Sequence, residues 1–413
     1  MRWGIVRVLR DRNAGLYLGG VILSGFGDSA MALAAGIWVK TLTGSDSLAA
    51  LVGFCMWLPA FVGPAIGTLA DRVRRRPLLV GTNLVLAAVL TAPLALRSRE
   101  DVWLLFVVLT LVGVGTVLVD AAETALIAAA VPGELRGDFN GLVRTSIESM
   151  KLVAPLAGAG LFTAFGGPAV ALLDAVTFVL AAAAFRLIRV REPRPAPRSE
   201  RSWTTETAEG ARYLWHHPVL RPLVLAGGVA MVASSLSSAA TYAMLDVGLH
   251  RSPAFAAVLT TLQGLGSVVS GLAAGALLRR MPERTFAAAG IALFALGVLA
   301  RSTPSLPLVL AGSLAIGLGL PYPLIAALTA VQRETPGELL GRVAATASTL
   351  LYAPTGLALL VGTGMVAGLD YRVQIITAGT LALGTAAVLL LAPKNTPDPN
   401  SLAAHGMSAE PGQ

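Results

Sequence analysis

The sequence predicts an all-α membrane protein: twelve transmembrane helices in two pseudo-symmetric six-helix bundles. Three observations predict it. The chain of 413 residues is 55% hydrophobic and only 13% charged, where a soluble protein is about one quarter charged. Its apolar residues fall into twelve long runs. A short motif in the first half also returns at the matching place in the second. A soluble fold of this length would run out of polar surface before hiding so much apolar area. That excludes an ordinary soluble enzyme, a disordered chain and, despite a net charge of +8, a nucleic-acid binder. The single cysteine, Cys55, excludes an internal disulfide and a cysteine-built metal site. The four histidines show no HxxxH spacing, and no nucleophile–base constellation appears, so no metal, no cofactor and no catalysis are expected.

A bilayer core of ~30 Å needs about 20 apolar residues as a helix. The runs lie near 15–40, 47–70, 76–97, 102–130, 141–165 and 168–188, then 219–246, 253–278, 285–301, 305–331, 343–367 and 371–392. They are too long and too continuous for barrel strands, which alternate at period two. The basic start, MRWGIVRVLRDRN, looks like a signal-peptide n-region. The apolar run after it is long and leads straight into further spans, so it reads as the first span.

Lysine and arginine set the orientation. With the N-terminus in the cytoplasm, 23 basic residues fall in cytoplasmic segments, and six (Lys40, Arg97, Arg99, Arg251, Arg301, Arg372) in outer loops. Both termini are therefore expected inside, in a multi-pass protein of the cytoplasmic membrane. The longest polar stretch separates six runs from six. Its first part, with Pro193, Pro195 and Pro197 among arginines, cannot pack and reads as a solvated linker. Its second part, Thr204 to His217, reads as a short amphipathic helix on the inner membrane surface. The expected domains are 1–188, a first bundle; 189–218, the linker; 219–392, a second bundle; and 393–413, a polar, Pro-rich, disordered tail. The repeat supports two halves: Pro132-Gly-Glu-Leu-Arg-Gly137 returns as Pro336-Gly-Glu-Leu-Leu-Gly341, each copy expected in the loop between the fourth and fifth span of its half. Duplicated halves around a midplane site are a transporter architecture.

The loop after the second run reads Gly63-Pro-Ala-Ile-Gly67-Thr-Leu69-Ala-Asp71-Arg72-Val-Arg74-Arg75-Arg76. It resembles the G-x-L-x-D-R-x-G-R-R signature of the major facilitator superfamily, with Arg74 in place of the second glycine. The resemblance implies a conformational latch built from Gly67, Asp71, Arg72 and Arg75. The matching stretch of the second half, Gly275-Ala-Leu277-Leu-Arg279-Arg280, has no aspartate. The segments LYLGGVILSGFGDSAMALAAGIWVKTLTGS, VPGELRGDFNGL and EGARYLWHHPVLRPL look like the macrolide-efflux and enterobactin-exporter branch of drug:proton antiporters. Ala154-Pro155-Leu-Ala-Gly158-Ala159 is similar to a worn antiporter G-P-x-x-G-G motif, in which Pro155 kinks the helix and Gly158 permits close packing. The resemblance implies proton-coupled efflux of drugs or other amphiphilic small molecules by a monomer in membrane lipid. A dedicated exporter of a siderophore or secondary metabolite, or a non-transporting membrane sensor, is the alternative.

An ionisable group at membrane depth costs about 2.5–3.5 kcal/mol on insertion scales, so each is a functional candidate. The deep ones are Asp28, Asp120, Glu123, Glu148, Lys151 and Asp174, all in the first half. Asp120 and Glu123 share one helical face, as do Arg144, Glu148 and Lys151. Burial disfavours the charged form of such carboxylates, as a proton carrier needs. Asp28, Asp120, Glu123, Glu148 and Lys151 are the proton-coupling candidates; Asp174, near the outer end of its span, is expected to meet water. The second half offers a more apolar wall, in which Tyr322, Gln263 and Tyr352 are the substrate-binding candidates. Pro321 and Pro323 are expected to break the tenth span beside Tyr322.

Overall fold

The computed structural model describes residues 7–59, 73–96, 98–132, 135–190 and 203–391. The helices of the first half are α1 (Arg12–Thr43), α2 (Asp46–Trp57), α3 (Arg75–Val89), α4 (Val102–Ala130), α5 (Arg136–Phe165) and α6 (Gly167–Leu187). A linker helix α7 (Trp203–His216) leads to α8 (Leu220–Ala239), α9 (Ala256–Leu278), α10 (Glu283–Ala300), α11 (Leu306–Gly319), α12 (Pro321–Glu334), α13 (Gly337–Gly368) and α14 (Tyr371–Leu391). Among the described residues, ten helical segments are long and apolar enough to cross a membrane, with α11 and α12 counted as one. The other two of the twelve expected spans are represented by shorter apolar helices, Asp46–Trp57 and Leu152–Phe165. Residues 60–72 lie outside the described residues. The first half of α5 carries Arg144, Glu148 and Lys151, which interrupt its apolar window.

Local chemistry sets the helix ends. Asp11 caps α1 by accepting from the Ala14 amide at 2.8 Å. Gly44, at φ 69°, closes α1 in the left-handed conformation that a residue without Cβ adopts freely. Ser45 then caps α2 through the Leu48 amide. Each repeated hexapeptide lies between the fourth and fifth spans of its half, and its last residues open the following helix, α5 or α13. In both, the leucine amide closes a turn onto the proline carbonyl: Leu135 to Pro132 at 2.9 Å, Leu339 to Pro336 at 3.0 Å.

Each half has its own core. In the first half, α1 packs along α5 and α6, and α3 along α4 and α6. The second half repeats this, with α8 along α13 and α14 and α10 along α11 and α14. One buried cluster runs through residues 214–389, and two others through the first half. The outer faces stay greasy: Leu272 and Leu391 are each 83% exposed, as lipid contact requires. The expected break in span ten is slight. Leu320 keeps right-handed helical angles between α11 and α12.

Candidate functional site

Two of the polar groupings among the described residues bear on function. The first lies where α1 meets α6. Gly27 of α1 sits so close to α6 that a Cβ there would overlap Thr177 Oγ1 and Asp174 Oδ1. Asp174 is thereby sealed at 1% exposure, not open to water as its position near a span end implied. The Thr177 hydroxyl lies 2.7 Å from the Asp174 carbonyl and 3.3 Å from its Oδ1. Asp174 Oδ2 is buried without a hydrogen-bond partner among the described residues. Asp28, next in the chain to Gly27, lies within electrostatic reach of Asp174. The α1–α5 contact is equally tight, because the Gly158 position faces the Ala30 carbonyl.

The second grouping joins the halves. Lys40 Nζ, on a side chain only 8% exposed, lies 2.8 Å from Asp46 Oδ1 and 2.7 Å from Asp246 Oδ2. It also donates to the Gly44 carbonyl at 3.1 Å. The contacts to Asp246 and Gly44 are hydrogen bonds, and that to Asp46 is an ion pair. Asp246 belongs to a π-turn, Met244–Gly248, that extends α8. Close by, the Tyr242 hydroxyl covers Gly36, Leu359 packs onto Gly53, and Ile37, Ala159 and Ala257 form a small apolar cluster from both halves. Further along the seam, Thr261 of α9 donates to the Leu152 carbonyl of α5 at 3.2 Å. The halves are thus clamped at the Lys40 end of the bundle.

The opposite end carries contacts within each half. Asn13 bridges to the carbonyls of Ala130 and Arg189, and Arg76 to that of Arg186. Arg74, Arg76 and Arg186 line a cavity of about 610 Å³ beside Pro77 and Val80. The linker helix docks on the second half. Tyr213 Oη donates to the Glu334 carbonyl at 2.7 Å, Glu209 pairs with Arg342, and Leu214 is fully buried. Burial, with Glu334 adding to it, pushes the Tyr213 hydroxyl pKa up. Burial pulls the His217 pKa down, against an opposing pull from Glu334. Trp215 is half exposed, with the Arg221 guanidinium 4.4 Å over its ring.

The sequence candidates distribute as follows. Asp28 belongs to the first grouping. Gly67, Asp71 and Arg72 lie outside the described residues, as do the side chains of Asp120, Glu123, Arg144, Glu148 and Lys151. Arg75 opens α3 and is half-buried. Pro155 is buried within α5. Gln263, Tyr322 and Tyr352 sit on α9, α12 and α13, each half-buried. Tyr322 stacks on Phe286 with ring centroids 4.5 Å apart. Lys40, Asp246 and Gly27 were not among the candidates, and Asp174 was named as a deep acid expected to meet water. A local hint existed for one pair: Lys40 and Asp46 flank the Gly44 turn.

The comparisons with known proteins agree with this architecture. The profile of the Major Facilitator Superfamily matches residues 17–247 and 223–409. Macrolide efflux protein A of Streptococcus pyogenes is 29% identical over 189 residues, 45% of this chain and 46% of that protein. Its namesake from Enterococcus faecalis is 28% identical over 185 residues, 44% of this chain and 56% of that protein. The chain thus spans about half the length of these curated relatives. Among solved structures, a bacterial homolog of the human lysosomal transporter Spinster, inward-facing and occupied, superposes with TM-score 0.70 at 14% identity, covering 92% of this chain and 96% of that one. A bacterial homologue of the iron transporter ferroportin, inward-facing, gives 0.69 at 17% identity over 92% and 98%. At such identities these structures speak for the fold. With matches over both halves, six-helix bundles with separate cores and a polar clamp at one end, the chain belongs to the Major Facilitator Superfamily.

Proposed function

We propose that the protein is a secondary active transporter that exports amphiphilic small molecules across the cytoplasmic membrane in exchange for protons. The observation that carries this reading is the pair of separately cored halves clamped at the Lys40 end. Such an arrangement opens on one side while sealed on the other, as alternating access requires. The basic asymmetry of the loops favours the Lys40 end outside and both termini inside, so the clamp closes the outer side. The matched relatives named as macrolide efflux proteins favour export, and macrolides as the first substrates to test.

In this reading residues 1–188 and 219–392 rock about the seam, 189–218 tethers them, and 393–413 is a free tail. Asp28, with Asp120, Glu123, Glu148 and Lys151, handles protons in the first half. Gln263, Tyr322 and Tyr352 contribute to the substrate wall of the second. Gly67, Asp71, Arg72 and Arg75 latch the inner side. The protein works as a monomer. The test is macrolide transport in proteoliposomes bearing a proton gradient. Transport should collapse with a protonophore, and Asp28→Asn should lose the proton-dependent part at unchanged protein level. Gradient-indifferent transport would overturn proton coupling; no transport of any panel compound would overturn the exporter reading.

A further inference from the structure

A cavity of about 800 Å³ opens between the end of the linker helix, α8 and α14, at the end of the bundle opposite the Lys40 clamp. None of the preceding roles uses it. Its two ends differ in chemistry. At the linker end, Arg221 and Arg284 stand on the first turns of α8 and α10, with Trp215 and His216 beside them. The Arg221 guanidinium lies over the Trp215 ring, and a tryptophan at a membrane boundary keeps one edge apolar and the other wet. No carboxylate lines the cavity among the described residues. The neighbouring Glu283 is engaged by Arg333 at 2.8 Å. Away from that end the walls turn apolar, with Leu225 and Val229 on α8 and Leu381 and Val388 on α14. From Arg221 to Val229, α8 rises about 12 Å, so the trough runs from the linker end toward the middle of the spans. Leu381 and Val388 are exposed, and a Cβ on Gly384 between them would meet nothing within 4 Å. The trough is therefore open sideways, on a face that a membrane covers.

We propose that this cavity binds an anionic phospholipid, its phosphate on Arg221 and Arg284 and the upper part of an acyl chain along Leu225, Val229, Leu381 and Val388. Positive charge with no lining carboxylate selects an anion, and a basic pocket at the ends of spanning helices suits an acidic lipid headgroup. A soluble phosphate would leave the apolar trough uncovered, and a cationic amphiphile would meet two arginines. A single acidic lipid satisfies both ends at once. Trp215 and His216 are the last residues of α7, so the bound lipid ties the linker helix to α8, α10 and α14. It thus adds to the docking made by Tyr213 and Glu209. The site rests on the membrane-spanning fold and is independent of export and of proton coupling.

The test is native mass spectrometry of the full chain in detergent, titrated with phosphatidylglycerol and, separately, with phosphatidylcholine of the same acyl chains. The wild type should hold a single phosphatidylglycerol more tightly than any phosphatidylcholine; equal affinity for the two lipids overturns the proposal. Arg221→Gln with Arg284→Gln should weaken that lipid by about fivefold per arginine and leave phosphatidylcholine binding as it was. Arg74, Arg76 and Arg186 of the first half stay intact in this variant, so binding beside them does not account for the loss. Phosphatidylglycerol binding unchanged in the double variant overturns the site. Gly384→Phe keeps both arginines and fills the trough, and it should lose the same lipid. Should the double variant fail to accumulate, Gly384→Phe decides alone, because its side chain enters open space; unchanged binding there overturns the proposal. Glycerol phosphate separates the two sources of phosphate. Displacement of the lipid by an equal concentration of glycerol phosphate would show a free-anion site and overturn the lipid, whereas failure to displace it supports the acyl trough.

Discussion

Lys40 and Asp246 lie 206 residues apart in the chain, yet their charged groups meet at 2.7 Å across the seam between the halves. Lys40 is desolvated and Asp246 is 59% exposed, so the pair is worth less than a fully buried one and more than a surface one. A value of about 1–2 kcal/mol lies between the two. Any such term acts on the closed-outside state alone, since separating the halves breaks it.

Lys40→Met should therefore shift the population toward the outward-open state by about 5–30-fold. It also leaves Asp46 and Asp246 facing each other unshielded. Distance measurements by spin labels placed on α2 and α13 at the outer end would read the shift. Exchanging the charges, with Lys40→Asp and Asp246→Lys together, should recover part of the closed population. An unchanged distance distribution in Lys40→Met would show that apolar packing alone holds the clamp.

Gly158 and Gly160 offer a matched pair for testing helix packing. A Cβ on Gly158 would stand 2.6 Å from the Ala30 carbonyl oxygen, a backbone atom that cannot swing aside, while nothing lies within 4 Å of one on Gly160. Gly158→Ala should cost about 1–3 kcal/mol, the usual range for overpacking, and lower the thermal midpoint in detergent. Gly160→Ala should leave the midpoint unchanged or raise it, because alanine is the better helix former.

The helices were legible because apolar runs of span length report themselves one by one, and the duplicated hexapeptide revealed the two halves. What joins the halves was not legible. Lys40 counted as a loop charge and Asp246 as a span-end residue, and only the folded chain brings them together. Asp174 was misjudged for a related reason: its depth in the span was readable, but its lid, Gly27 on another helix, was not. Arg301 is similar, an outer-loop arginine by count yet 2% exposed in the fold. Tyr322 was readable as a residue between two prolines, whereas its stacking partner Phe286 sits on α10.

Arg301 follows α10 and donates to Thr241 Oγ1 at 3.0 Å, tying that helix end to the extension of α8. The bond involves a charged donor that has given up water. Thr241→Val removes the acceptor with little change in volume. It should destabilise the protein by about 1.5–3 kcal/mol, the range for hydrogen bonds to charged groups, read as a lowered thermal midpoint. The clamp distances between α2 and α13 should stay in place, because Thr241 and Arg301 both belong to the second half.

His217 makes the docking of the linker helix sensitive to pH. Its Nδ1 accepts from the amides of Val219 at 3.3 Å and Leu220 at 3.4 Å, which only an imidazole unprotonated at that nitrogen can do. Burial lowers its pKa from the ordinary 6.5. The docked state therefore binds a proton more weakly than the undocked one, so the His217 contribution is full above pH ~6.5 and is lost as pH falls through the depressed folded value. Hydrogen exchange across α7 should accelerate as the pH falls below that point, after correction for the intrinsic rate. His217→Asn retains an oxygen that can accept the same amides without titrating. Its α7 protection should be independent of pH over the same window, and a pH response equal to wild type would move the switch to another group.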